Sequence, residues 1–169
     1  MSREQPLTLN ELVANHIHTT LEDEKWQWQP PLRGALRGLT TAEAAWKPAP
    51  ERHSIWQIVR HLMLWKRGVL DAWNGEPPDG ARLDAADWHE ATGTEAEWER
   101  DRRTLLEMSE QFLTRAQALD DAGLSQSIVW YRDGPAQALA MRLVRTTTHD
   151  IYHAGQIMYL RALQGIGKR

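Results

Sequence analysis

Seven histidines are the residues of this sequence whose type and spacing best suit chemistry. Two of them, His149 and His153, stand four positions apart in a segment with helical periodicity. Residues four apart lie on one face of a helix, with Cβ atoms about 5–6 Å apart, so both imidazoles can bind a single metal ion. The spacing is a weak signal by itself, because many such pairs on helices bind nothing.

The surroundings of this pair strengthen the metal hypothesis. A largely polar strip runs along a helix that is otherwise apolar on more than one side, through Arg142, Thr146, His149, His153, Gln156 and Leu160. Polar groups on a buried helix require partners, and a metal ion with water would supply them. A third nitrogen has to come from another helix. His61 is the best candidate, since it lies at the edge of an apolar stripe between Ile58 and Trp65.

Other side chains are candidates for the pocket around such an ion: Gln156, His16, Arg142 and Trp65. Gln156 shares the histidine face and suits a hydrogen bond to water or substrate, or equally one across the bundle. Asp150 follows His149 directly, so its carboxylate can orient an imidazole, although a salt bridge at the surface or at a dimer contact explains it as well. The remaining histidines are interpreted as solvated, structural or inert: His18, His53 and His89.

Composition excludes several classes of function. The 169 residues contain no cysteine, which removes disulfides, cysteine-ligated zinc, iron–sulfur clusters and cysteine nucleophiles. The net charge of −3 gives no basic field for nucleic acid. No basic region precedes a long apolar run, and no stretch approaches the roughly 18 apolar residues of a membrane span. We therefore expect a cytoplasmic protein with no nucleic-acid or membrane partner.

Four segments carry helical periodicity and must position these side chains. The first runs from about Leu7 to Leu32, where Pro30 and Pro31 should disturb its end. The others begin at the caps Ser54 and Thr94 and at about Ala136, and end near Asn74, Leu119 and Leu163. A further capping box at Thr40 to Glu43 predicts a short helical turn. Residues 75–93 are interpreted as a loop, and 127–131 as a short strand or extended segment.

These elements predict an all-α fold, a four-helix bundle with long connections. The runs Trp46-Lys47-Pro48, Arg52-His53-Ser54-Ile55-Trp56-Gln57-Ile58-Val59-Arg60-His61-Leu62 and Thr148-His149-Asp150-Ile151-Tyr152-His153-Ala154-Gly155-Gln156-Ile157 resemble the DinB/YfiT-like superfamily of metalloenzymes. The resemblance covers essentially the whole chain and implies one domain over residues 1–169, usually a homodimer. It also implies a divalent metal ion held by His61, His149 and His153.

Three neutral imidazoles leave coordination positions open, which suits a reactive site better than a structural one. Zinc, nickel, iron and copper all accept such ligands, so the metal is not determined, and the lack of Glu-x-x-His pairs disfavours a di-iron centre. Relatives of this type include transferases of low-molecular-weight thiols such as bacillithiol, thiol-dependent isomerases and proteins described as hydrolases.

Since the chain has no cysteine, any thiol must arrive as a cosubstrate. The leading hypothesis is therefore metal-dependent transfer of a bacillithiol-like thiol to small electrophiles in stress response or detoxification. One alternative is a hydrolase that uses metal-bound water. The other is a dimeric bundle that binds a metal or ligand without catalysis.

Overall fold

The computed structural model describes residues 6–22 and 28–167. Its elements are, in chain order, α1 (Leu9–Leu21), α2 (Leu32–Ala35), α3 (Thr41–Ala45), α4 (Ile55–Trp73), α5 (Gly80–Ala86), α6 (Glu95–Gln117), α7 (Asp121–Ser125), β1 (Ser127–Val129), β2 (Ala136–Ala138) and α8 (Leu139–Leu163). The long helices α1, α4, α6 and α8 form a ring in which α1 and α4 each pack against both α6 and α8. This is the predicted all-α, four-helix arrangement.

Two apolar clusters fill the bundle, one toward each end. The first includes Trp56, Leu62, Trp98, Leu105 and Ile157; the second includes Val13, Val69, Phe112, Leu139 and Leu143. Most of the buried polar side chains of α4 and α8 lie near the junction of these clusters: His61, Lys66, Thr146, Thr147, Asp150 and His153. The middle of the bundle is therefore polar, and it is where the candidate site lies.

Local capping chemistry sets the starts of the helices that carry the site. The Ser54 hydroxyl accepts a hydrogen bond from the Gln57 backbone N–H at 3.1 Å, and the Gln57 side chain accepts one from the Ser54 N–H at 3.0 Å. The boxes expected at Thr40 and Thr94 form in the same way. Caps of this kind stabilise a helix by about 1 kcal/mol, and they fix where α4 begins and hence which way His61 points.

Two predicted helix boundaries and one predicted loop are wrong. The first helix ends at Leu21 rather than Leu32, because Glu22 is extended at φ −104°, ψ 154°, and Pro31 instead precedes the start of α2. Residues 75–93 contain α5, whose first turn is capped by the Asp79 carboxylate. The fourth helix begins at Leu139 rather than Ala136, because 136–138 pair antiparallel with the predicted strand at 127–129.

Candidate metal centre

Three imidazoles from two helices meet in the middle of the bundle. His61 lies on α4, and His149 and His153 lie one turn apart on α8. The Nε2 atom of His149 is 3.0 Å from Nε2 of His61 and 2.9 Å from Nε2 of His153. One ligand atom from each ring lies within 4.8 Å of the others, so the three histidines could hold a metal ion.

The opposite ring nitrogens of two of these histidines are held by side-chain oxygens. His61 Nδ1 lies 2.6 Å from Oδ1 of Asp87, and His153 Nδ1 lies 2.7 Å from Oε1 of Gln156. An N–H at each Nδ1 makes both contacts hydrogen bonds and leaves the lone pair on Nε2. Trp65 Nε1 donates to the other oxygen of Asp87 at 3.1 Å, which fixes that carboxylate.

Burial favours the neutral form of the three rings. His61 and His153 are 7% and 3% exposed, and His149 is partly buried. Desolvation is the largest cause in all three cases: it lowers the pKa of His149 to about 4 and that of His153 to about 3, and it lowers the pKa of His61 against the opposing pull of Asp87. Neutral imidazole is the form that binds metal.

This donor set fits a divalent ion. Ligand nitrogens at about 2.0–2.1 Å from a common ion, at octahedral to tetrahedral angles, are separated by roughly 2.9–3.4 Å, which matches the two Nε2 spacings. The Nδ1 protons of His61 and His153 are directed outward, to Asp87 and Gln156. The Nε2 lone pairs of these two rings therefore face the interior of the trio without a hydrogen to bind. A cation bound between the rings would satisfy them.

Trp88 covers one side of the centre in a strained conformation. Its indole stacks on the His61 ring at 4.0 Å and on the His53 ring at 3.8 Å. Its backbone has φ +57°, a left-handed value that is rare for a bulky residue. Its N–H donates to Asp87 Oδ1 at 2.9 Å. Strain of this kind costs on the order of 1–3 kcal/mol and persists where neighbours over-determine it, here the stack and the Asp87 contact.

The other sequence-predicted residues divide between the centre and the rest of the bundle. Gln156 contacts His153, and Trp65 contacts Asp87, so both adjoin the trio. Arg142 instead lies with its guanidinium 4.4 Å from the centroid of the Trp130 ring. His16 lies close enough to Asp150 to interact electrostatically with its carboxylate. The Nε2 atom of His16 is buried without a hydrogen-bond partner among the described residues.

The expectation that Asp150 orients an imidazole is wrong. Its Oδ2 atom accepts a hydrogen bond from Lys66 Nζ at 2.5 Å, and both side chains are buried. Asp150 is one residue after His149, and one residue on a helix turns a side chain by about 100°, which points it to the bundle interior. The carboxylate that contacts a site histidine is Asp87, at the end of α5.

Sequence reasoning missed Asp87, Trp88 and Lys66, and treated His53 as structural. Asp87 and Trp88 follow a short helix with no clear periodicity, so only their chemical types marked them. His53 precedes the Ser54 cap and is directed to the site only by its stack on Trp88. Lys66 falls within the apolar stripe of α4. A charged residue at such a position indicates a buried partner, and this was the signal that could have identified it.

A cleft of about 670 Å³ lies beside the trio. Gln156 lines it and also bonds His153, so the cleft and the centre share a side chain. Its other walls are Pro48, Ala49, Arg52, His53, Ile58, Tyr152, Gly155, Tyr159, Leu160 and Leu163. Trp65 and Arg142, expected in the same pocket as Gln156, are absent from these walls. A cavity of this size is typical of sites for small molecules.

Fold and site together define a class of protein: a four-helix bundle with three convergent imidazoles that can hold a metal ion. The chain belongs to the DinB superfamily, whose family model matches residues 32–157. That range includes His61, His149 and His153. The family resemblance drawn from the sequence motifs is therefore confirmed.

A solved structure agrees at the level of the fold. The chain is similar to a DinB-like protein from Bacillus cereus ATCC 10987, with a TM-score of 0.59 and 13% sequence identity over 93% of this chain and 89% of that one. No curated protein matches the chain. Across residues 6–22 and 28–167, no helix combines the length and apolar character needed to cross a membrane.

Proposed function

We propose that this protein is a divalent-metal-dependent enzyme that transfers a low-molecular-weight thiol to small electrophiles. The observation that carries the proposal is that Nε2 of His149 lies 3.0 Å from Nε2 of His61 and 2.9 Å from Nε2 of His153, while the Asp87 carboxylate contacts the opposite nitrogen of His61. In the described part of the chain the cluster therefore has three ligand side chains. A three-ligand set leaves room for a substrate atom, as catalytic sites do.

A bound divalent ion would supply a Lewis acid that favours the thiolate form of an incoming thiol. The chain's own residues would set the conditions for this. Asp87 and Gln156 hold the imidazoles of His61 and His153 in the tautomer that presents Nε2. The indole of Trp88 covers the His61 ring and excludes water from that side.

The composition supports a thiol that comes from outside the protein. The chain has no cysteine, so no internal thiolate competes for the ion. Low-molecular-weight thiols are kept reduced in the cytoplasm, which is the compartment we assign to the protein. We further propose that it acts in stress response or detoxification, and as a homodimer, as its relatives usually do.

The first experiment tests the ligands. Purified wild type is compared by elemental analysis with the double variant His149→Ala/His153→Ala and with His89→Ala, whose ring lies in an exposed loop. We expect about one divalent ion per chain in the wild type and in His89→Ala, and a loss of at least tenfold in the double variant. Equal metal content in all three proteins would show that the ligand assignment is wrong.

The second experiment tests the reaction. The metal-loaded protein is assayed for conjugation of bacillithiol to monochlorobimane, with chelator-treated protein and the double histidine variant as controls. We expect a metal-dependent rate that returns when the metal is restored. A metal-loaded protein with no rate above the controls would overturn thiol transfer; metal-dependent cleavage of esters or amides would then identify a hydrolase, and inactivity in both assays a non-catalytic metal-binding bundle.

A further inference from the structure

The cleft beside the trio has one kind of charge on its walls. Arg52 is its single permanently charged side chain. Partial desolvation and the nearby Lys47 lower the pKa of His53, which disfavours a charge on that ring. No acidic residue lines it. Arg52 is exposed and forms no ion pair with any residue in the described ranges. A permanently charged guanidinium without an ion-pair partner, at the edge of apolar walls, favours binding of an anion.

The rest of the wall is apolar or aromatic. Ile58, Leu160 and Leu163 supply aliphatic surface, and Tyr152 and Tyr159, which are 62% and 66% exposed, stand on α8 beside it. Between the tyrosines, Gly155 leaves the surface open: a Cβ added there would meet no atom within 4 Å. These surfaces suit the body of an aryl or alkyl group rather than a sugar or a metal ion.

Two contacts connect the cleft to the histidine trio. Gln156 lines the cleft and accepts from His153 Nδ1, and its amide nitrogen donates to the Tyr152 hydroxyl at 3.0 Å. On the other wall His53 stacks on Trp88, which stacks on His61. A molecule in the cleft would therefore touch Gln156, which bonds His153, and His53, which is linked to His61 through the Trp88 ring.

We propose that the cleft binds a small organic anion, a carboxylate carried on an aromatic or alkyl body, with Arg52 as its counter-charge and the two tyrosines against its apolar part. That this molecule is the electrophilic substrate rests on the function proposed above. That the cleft binds such an anion does not depend on that function. The volume of about 670 Å³ suits a small molecule, and the unpaired guanidinium matches a carboxylate in shape and charge.

The test compares two ligands with the same aryl-alkyl body and different end groups, one an anionic carboxylate and the other a neutral alcohol. The affinities of 4-phenylbutyrate and of its neutral analogue 4-phenylbutanol are measured by calorimetry on metal-loaded wild type and variants. We expect the carboxylate to bind at least about fivefold more tightly than the alcohol. Arg52→Gln should abolish this preference. The matched control Arg67→Gln removes an exposed arginine of α4 that does not line the cleft, and should preserve it.

A second pair of variants tests the location. Gly155→Leu should be accepted by the helix, since nothing crowds the added Cβ, and should weaken both ligands at least tenfold by filling the cleft. Gly155→Ala should leave binding within about twofold. Circular dichroism and metal content of each variant verify that fold and trio are intact.

The outcomes separate this proposal from the enzyme proposal. Equal binding of the two ligands, or binding unaffected by Gly155→Leu, overturns the anion site even if thiol transfer is observed. Charge-dependent binding in a protein that holds no metal supports the anion site and contradicts the enzyme. Sedimentation adds one more arm: a wild-type dimer that Gly155→Leu converts to a monomer would show that the cleft is an interface between copies.

Discussion

Two buried polar groupings join α4 to α8, and they solve the problem of burial in opposite ways. The histidine trio brings together three neutral acceptors of the same kind. One turn or so away, Lys66 and Asp150 bring together a cation and an anion, with Nζ 2.5 Å from Oδ2 and exposures of 1% and 2%. The pair neutralises itself, whereas the trio carries no charge of its own and could hold a cation from outside.

Neighbouring positions on the same helices thus have different roles. His149 and Asp150 are consecutive, yet one faces His61 and the other faces Lys66. Lys66 Nζ also lies 4.9 Å from the centroid of the Phe112 ring, so α6 contributes to its surroundings. We expect the pair to hold α4 in register with α8, and thereby to set the position of His61 relative to His149.

The largest effect should come from breaking the pair. Lys66→Met leaves the Asp150 carboxylate buried without its counter-charge, which costs about 3–5 kcal/mol of unfolding free energy. Part of this is recovered when Asp150 takes up a proton, because burial already raises its pKa. Urea denaturation of the metal-free protein measures the loss. The double variant Lys66→Met/Asp150→Val should recover most of the stability, since an apolar pair needs no neutralisation.

Metal content decides whether the comparison holds. If the pair is structural, the double variant binds metal as the wild type does. A double variant that is stable but binds metal no better than His149→Ala/His153→Ala would instead make Lys66 and Asp150 part of the centre.

The sequence predicted features that depend on residues close together in the chain. The capping boxes at Thr40, Ser54 and Thr94 follow from a hydroxyl and a Glu or Gln three residues apart, and their contacts are completed within one turn. The stacking of His149 and His153 follows from the helical repeat for the same reason. Such features need no knowledge of the tertiary fold.

Features that depend on distant residues escaped prediction. Lys66 and Asp150 are 84 positions apart, and Asp87 reaches His61 across 26. The strand at 136–138 has the sequence Ala-Gln-Ala, with no β-branched or aromatic residue, and is extended only because it pairs with 127–129. In each case the partner, rather than the residue's own propensity, determines the structure.

The next effect is the pH dependence of stability, which distinguishes the neutral histidines from the charged Lys66–Asp150 pair. In the metal-free protein the pKa values of His149 and His153 are lowered to about 4 and about 3, whereas unfolded histidine titrates near 6.5. Between these values the unfolded chain binds more protons, so the unfolding free energy falls as the pH drops from about 6.5 toward 4. We expect a loss of about 3 kcal/mol over this window for both rings, allowing for their partial exposure.

Denaturation of chelator-treated protein at intervals between pH 7.5 and 4.5 measures this slope. The variant His149→Gln/His153→Gln keeps Lys66 and Asp150 but lacks the two rings, so its stability should vary much less across the window. An equally steep slope in that variant would assign the pH dependence to other groups and remove the evidence that the trio is held neutral.

The smallest effect concerns the Asp87 carboxylate, which contacts His61 of the trio. In the buried pair the Asp150 carboxylate meets its cation directly, whereas the Asp87 carboxylate is separated from the expected cation by the His61 ring. Its influence is therefore indirect, through the orientation and basicity of the imidazole. Asp87→Asn should weaken metal binding by about 10- to 100-fold, measured by competition with a chromogenic chelator, while the stability of the metal-free protein changes little.

Asp84→Asn is the matched control for this last comparison. It removes the same charge from the same short helix, but Asp84 is exposed and lies three residues before Asp87. If Asp87 acts by orienting His61, only its own substitution weakens the metal, and Asp87→Glu restores part of the affinity because the longer carboxylate can still accept from Nδ1. Equal losses of metal affinity in Asp84→Asn and Asp87→Asn would show that Asp87 acts through its negative charge alone and not by orienting His61. Asp87 would then differ from Asp150 only in its greater distance from the cation.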